Sequence, residues 1–142
     1  MSLVLHARYV VARAAITRDF SRVALDALLA RSRASSASQK HIVSVGRLAA
    51  VISRCEAFFT RTRLLPDTCL YRALARFAVL SAHGADPTFV MALPSDGSNE
   101  GHAWIELDGE PWLDDEDLSS MKVTFCYPPA RTFANPAQRR AP

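Results

Sequence analysis

Residues 67–115 read DTCLYRALARFAVLSAHGADPTFVMALPSDGSNEGHAWIELDGEPWLDD, and within them the hydrophobic period changes from helical to alternating. From Cys69 to His83 there is neither glycine nor proline, and Ala, Leu and Arg, all good helix formers, dominate. Asp67 or Thr68 can cap the free N–H groups of that helix's first turn, and Gly84 suits its end. Beyond it, Thr88–Leu93 is a short β-like run bounded by Pro87 and Pro94, and SDGSNEG at 95–101 is a polar loop. HAWIEL at 102–107 alternates, Asp108-Gly109 is a strong hairpin signal, and residues 110–114 make the return strand. Met121–Tyr127 reads as a further strand.

Ahead of this stretch the pattern is helical. Residues 2–15 place Leu3, Val4, Val10, Val11 and Ala14 at roughly helical spacing, and Asp19–Arg31 continues with Val23, Leu25, Leu28 and Leu29. SRASSAS at 32–38 reads as a loop. Ile42, Val45, Leu48, Ala49, Ile52 and Phe59 predict a long amphipathic helix over 39–59, and Pro66 requires it to end before residue 65. Helices followed by an antiparallel sheet predict an α+β domain. Residues 1–63 are its helical N-terminal part, 64–127 its core, and 128–142, with four prolines, a flexible tail.

Length and composition fit one such domain: 142 residues, 49% hydrophobic and 22% charged. They exclude a disordered chain, and three cysteines exclude a disulfide scaffold. No run approaches the ~18 apolar residues of a membrane span. Arg8, Arg13 and Arg18 interrupt the N-terminal apolar stretch, so a secretory signal is not expected and the protein is read as cytoplasmic. There is no P-loop and no paired CxxC, and His6, His41, His83 and His102 do not supply a zinc ligand pattern. No metal and no cofactor are expected. Charge is split: residues 1–63 hold eleven Lys/Arg and three Asp/Glu, and residues 64–142 hold six and eleven. The formal +3 therefore hides a basic half and an acidic half. Nucleic-acid binding lacks the interleaved aromatics and the motif it would need.

The chemistry gathers in the acidic half. Cys69 falls in the first turn of a helix, where free N–H groups and the helix dipole favour a thiolate. Cys55, in mid-helix, and Cys126, in an apolar strand, read as buried core residues. Alternation puts His102, Trp104 and Glu106 on one face of their strand, suited to a partly open cleft, and Ala103, Ile105 and Leu107 on the core face. A Cys/His pair needs a third group to orient the imidazole, and the return strand offers Asp114 and Asp115. A two-residue loop pairs Leu107 with Glu110 and sets His102 opposite Asp115. A three-residue loop pairs Glu106 with Glu110, faces Trp104 with Trp112, and sets His102 opposite Asp114. The second register is favoured because it makes the tryptophans neighbours and puts Ile105, Pro111 and Leu113 on the core face.

The block DTCLYRALA together with GHAWIELDGEPWLDD resembles the transglutaminase-like cysteine peptidases of lasso-peptide biosynthesis, the B2 proteins or leader peptidases, over about residues 64–117. The resemblance implies a transglutaminase-like or papain-like fold and a Cys-His-Asp triad. In it Cys69 is the nucleophile, His102 the base and Asp114 the orienting acid, the family's spacing favouring Asp114 over Asp115. Gly101 stands where the family commonly has alanine. The implied activity is removal of a leader peptide from a ribosomally made precursor, with the backbone N–H of Cys69 as first oxyanion donor. The implied partners are the precursor leader, a separate leader-recognition (RRE) protein and a lasso cyclase, with neither nucleic acid nor membrane. The helical front, resembling nothing specific, leaves no room for a fused recognition domain. Its Arg8, Arg13, Arg18 and Arg22 are expected to meet an acidic leader or partner. Acyl transfer to an amine and non-catalytic peptide binding are the competing readings.

Overall fold

A computed structural model describes residues 2–34 and 43–128. Its centre is the helix spanning Cys69–Ala82, α4 in a chain order that begins with α1 (Ser2–Asp19), α2 (Leu25–Ala34) and α3 (Val45–Thr62). The α4 sequence buries Ala73, Leu74, Ala75, Phe77, Val79 and Leu80, so it is apolar on more than one side, as a helix enclosed by its neighbours must be. Helices α1, α2 and α3 and strands β1 and β2 of the sheet all pack against it. Its end falls at His83, followed by Gly84 at φ +82°, a left-handed position that glycine fills without steric cost.

Four strands follow: β1 (Thr88–Pro94), β2 (His102–Leu107), β3 (Glu110–Trp112) and β4 (Met121–Tyr127). They pair antiparallel in the order β3-β2-β1-β4, with a bulge between Met91 and Ala92 where β1 meets β4. The α+β reading therefore holds: the described residues form four α-helices and a small antiparallel sheet. One face of the sheet gives Phe89, Ala103 and Ile105 to the core shared with the helices. The other is covered by its own cluster of Val90, Ala92, Trp104, Leu118 and Cys126. Trp104 is 1% exposed, so the face assigned to an open cleft is closed at its middle.

Three further expectations change. In α1 the inward stripe is Leu5, Tyr9, Arg13 and Ile16, while Leu3, Val4, Val10 and Val11 are exposed. Both stripes have helical spacing. The Tyr9 hydroxyl and the Arg13 Nη2, polar groups that argue against burial in a sequence, find partners inside. Helix α1 also runs on to Asp19, and α2 starts only at Leu25. Helix α3 starts at Val45 and ends with Arg63 in a left-handed C-cap, its N–H bonded to the Phe59 carbonyl. Helix α2 runs on to Ala34, into the loop expected at 32–38; residues 35–42, the rest of that loop and the start of the expected third helix, lie outside the described residues, as does the tail from residue 129.

The hairpin takes the other register. Leu107 pairs with Glu110, Glu106 with Pro111 and Ile105 with Trp112. Asp108 and Gly109 have φ +53° and +83°, the two positive values of a type I′ turn, whose twist matches that of the strands. The favoured three-residue loop is therefore wrong, and Trp104 does not face Trp112. Strand β3 also stops at Trp112, because Leu113 turns left-handed at φ +54°. Among the described residues no helix is long and apolar enough to cross a membrane.

Candidate active site

Cys69 is the first residue of α4, and Arg13 holds the loop that delivers it. This arginine is wholly buried, lies over the Phe59 ring at 5.5 Å, and donates from Nη2 to the Pro66 carbonyl at 2.6 Å and to Asp67 Oδ1 at 3.3 Å. Thr60 donates to the other Asp67 oxygen. Neither Asp67 nor Thr68 caps α4 as expected: Asp67 is engaged by Arg13 and Thr60, and Thr68, the N-cap, makes no side-chain cap bond. The first N–H groups of the helix are thus left without a side-chain acceptor beside the half-buried Cys69. The Cys69 Sγ lies 3.9 Å from the Gly101 carbonyl oxygen, across the junction with β2.

His102, the first residue of β2, is fixed on two sides. Its Nε2 lies 3.0 Å from Asp114 Oδ2, and its ring stacks on Trp104 with centroids 5.8 Å apart and planes at 18°. Asp114 Oδ1 accepts the Glu116 N–H at 3.1 Å, which fixes the carboxylate. The His102 and Asp114 side chains are 11% and 7% exposed, so their contact is shielded from water. Engagement of Nε2 leaves Nδ1 as the atom open to a thiol, and no described residue bonds it. Cys69, His102 and Asp114 line one cavity of about 500 Å³, together with Ser53, Glu56, Arg72, Arg76, Asp115 and Glu116. The three residues expected to act together are therefore gathered. Asp114 is there through the left-handed turn at Leu113, and not through the strand register that the sequence favoured.

The other described cysteines and histidines do not line this cavity. Cys55 and Cys126 are buried, as expected. Burial pushes both thiols up, and the carboxylates of Glu56 and Glu106 add to it. His83 is buried at the far end of α4, with Nδ1 2.8 Å from the Val79 carbonyl and Nε2 3.3 Å from Arg8. His41 lies outside the described residues.

Sequence reasoning missed a second group at the base of the cavity. Arg76 meets Glu56 with two parallel bonds, Nε to Oε1 at 2.8 Å and Nη2 to Oε2 at 2.6 Å. Tyr9 donates to Glu56 Oε1 at 2.6 Å, and Arg76 Nη1 donates to the Leu113 carbonyl at 2.6 Å. Burial first, and then Glu56, pushes the Tyr9 phenol far above its usual range. Burial opposes the Arg76 charge, but the bonds and attraction from Glu56 outweigh it and hold the guanidinium up. The signal was available: Arg76 is two turns from Cys69 on the same face of α4, and Glu56 is the only acid in α3.

A helix that starts on a thiol, packed against an antiparallel sheet that carries a carboxylate-bound imidazole, defines an α+β protein with the parts of a cysteine-dependent enzyme. The family model of the Transglutaminase-like superfamily matches residues 5–126, and the chain belongs to that superfamily. Its members are commonly cysteine-dependent enzymes and include cysteine peptidases and acyl transferases. The match takes in the helical front, which the sequence reading had left without a relative. A search of curated proteins and of solved structures returned no match.

Proposed function

We propose that the protein is a cysteine peptidase that removes the leader from a ribosomally made lasso-peptide precursor. The observation that carries a hydrolytic thiol site is the His102–Asp114 contact at 3.0 Å in the cavity that Cys69 lines. With Nε2–H donated to Asp114, Nδ1 takes the proton from Cys69, and Asp114 stabilises the imidazolium that results. The thiolate attacks the last carbonyl of the leader. The oxyanion forms at the start of α4, where the Cys69 N–H is the first donor. Collapse breaks the C–N bond, and His102 returns its proton to the departing amine of the core peptide. Water, giving its proton to His102, then attacks the thioester, releases the leader acid and restores the thiol. These steps draw on no metal or other cofactor.

The lasso assignment rests on the resemblance of DTCLYRALA and GHAWIELDGEPWLDD to leader peptidases. With it come the partners: the precursor leader, a separate recognition protein and a lasso cyclase, acting in the cytoplasm where the precursor is made. Co-expression with the precursor and these partners tests the reading by mass spectrometry. We expect free leader acid with the wild-type protein and intact precursor with Cys69→Ala. Cleavage that persists in the variant would refute the assignment. A leader–amide product when an amine is added would make the protein an acyl transferase.

A further inference from the structure

Asp114 reaches His102 only because the chain leaves the sheet one residue earlier. Leu107 pairs with Glu110 and Ile105 with Trp112, so a β3 continued in this register would set Asp115, not Asp114, opposite His102. Instead Leu113 turns left-handed, with φ +54°, a conformation unfavourable to any residue that has a Cβ. Nothing in a leucine favours that turn. The Leu113 carbonyl accepts a 2.6 Å bond from Arg76 Nη1. Arg76 is itself immobilised by both oxygens of Glu56, and Glu56 by the Tyr9 hydroxyl. Arg76 and Glu56 are 7% and 9% exposed, so neither can swing into solvent without opening the core. Helices α1, α3 and α4 thus each give one side chain to a clamp, and its far end grips the backbone next to the acid of the site.

The geometry assigns Arg76 as a positioning residue: by fixing the left-handed turn at Leu113 it aims the Asp114 carboxylate at His102 Nε2. The assignment rests on the Cys69–His102–Asp114 reading above. A buried ion pair that served cohesion alone would be replaceable by apolar side chains of similar volume. Here a further donor of the guanidinium fork is committed to the one carbonyl whose orientation decides which aspartate meets the histidine.

Two readouts separate a positioning role from a structural one. The Nε2 proton of His102, held by Asp114, gives a downfield, slowly exchanging imidazole N–H resonance. The rate at which iodoacetamide alkylates Cys69 reports the state of the thiol. The wild-type protein is expected to show the resonance, and Asp114→Ala to lose it and slow alkylation. A wild type without the resonance, whose alkylation ignores Asp114→Ala, would contradict the reading of the site itself, whatever Arg76 does. Arg76→Met is expected to lose the resonance and to slow alkylation by about tenfold to a hundredfold. Because that variant strands Glu56, Tyr9→Phe, Glu56→Leu and Arg76→Met are also combined, which replaces the whole network by apolar groups and preserves the fold, checked by circular dichroism. Leu113→Gly added to the triple variant occupies the left-handed region without a clamp and should restore the resonance and part of the rate. Retention of both signals in the folded triple variant, or their failure to return with Leu113→Gly, would overturn the assignment.

Discussion

Asp114 and Asp115 are adjacent, carry the same side chain and line the same cavity, yet only Asp114 bonds His102. The difference lies in one backbone angle at Leu113, so the two residues should respond differently to the same substitution. If the proposed leader cleavage is the activity, Asp114→Ala is expected to lower its rate by about 10²–10⁴-fold, because the imidazole would lose the group that orients it and stabilises its charge. Asp115→Ala is expected to stay close to wild type. Steady-state rates of the two variants decide the matter, and equal losses would mean that the acids share the role. Cys69 and His102 were legible in the sequence because a helix start and a strand start are local signals. Asp114 was reached by resemblance and by a hairpin register that the structure does not adopt. Helix periodicity could single out Arg76 and Glu56, but no local pattern announces the bond from Arg76 to the Leu113 carbonyl, thirty-seven residues further along the chain.

Elements whose signals lie within a few residues agree well with their sequence. Helix α4 lies between an N-cap at Thr68 and Gly84, and β4 spans Met121–Tyr127, the run that the sequence marks as a further strand. The hairpin register was misjudged because side-chain pairing was given more weight than turn geometry. Stacking Trp104 on Trp112 is worth a fraction of a kcal/mol, while an Asp-Gly pair fits the twist of a two-residue turn. Trp104 serves instead as a floor for His102. The turn makes its own prediction: Gly109→Ala, at φ +83°, should destabilise the protein by about 1 kcal/mol or more, read from the midpoint of urea unfolding. Unchanged stability would argue against the type I′ turn. Helix α1 was misread for a different reason. Its two apolar stripes are equally periodic, and the buried one is marked by polar side chains that find partners only after the chain folds.

On the scale of the molecule, the split of charge is not a split of function. Not every arginine of the basic half is open to a partner: Arg13 is wholly buried beneath the loop before Cys69, Arg8 reaches His83, and Arg18 bonds Asp19. The expectation that Arg8, Arg13, Arg18 and Arg22 together meet an acidic partner therefore fails for Arg13. Two of the three acids of this half, Asp19 and Glu56, tie helices together. Asp19 takes bonds from Arg18 at 2.7 Å and from Arg31 at 2.6 Å, joining the end of α1 to α2. The Arg18 bond, then the Arg31 bond, lowers its carboxyl from 3.8 to about 2. The folded value lies below the unfolded one, so the contribution is complete above the unfolded value and is lost as pH falls toward 2. Asp19→Asn should therefore lower stability at neutral pH and flatten its acid dependence in that window, followed by thermal unfolding across pH; parallel wild-type and variant curves would exclude the tie. The central claim is that His102 activates the Cys69 thiol, and thiol labelling with mass-spectrometric mapping tests it most directly. The buried Cys55 and Cys126, whose thiols are pushed up, serve as internal controls. At about pH 6.5, iodoacetamide is predicted to label Cys69 alone in the wild-type protein, and to do so at least about tenfold more slowly in His102→Ala. Equal rates in the two proteins, or label spread over all three cysteines, would contradict it.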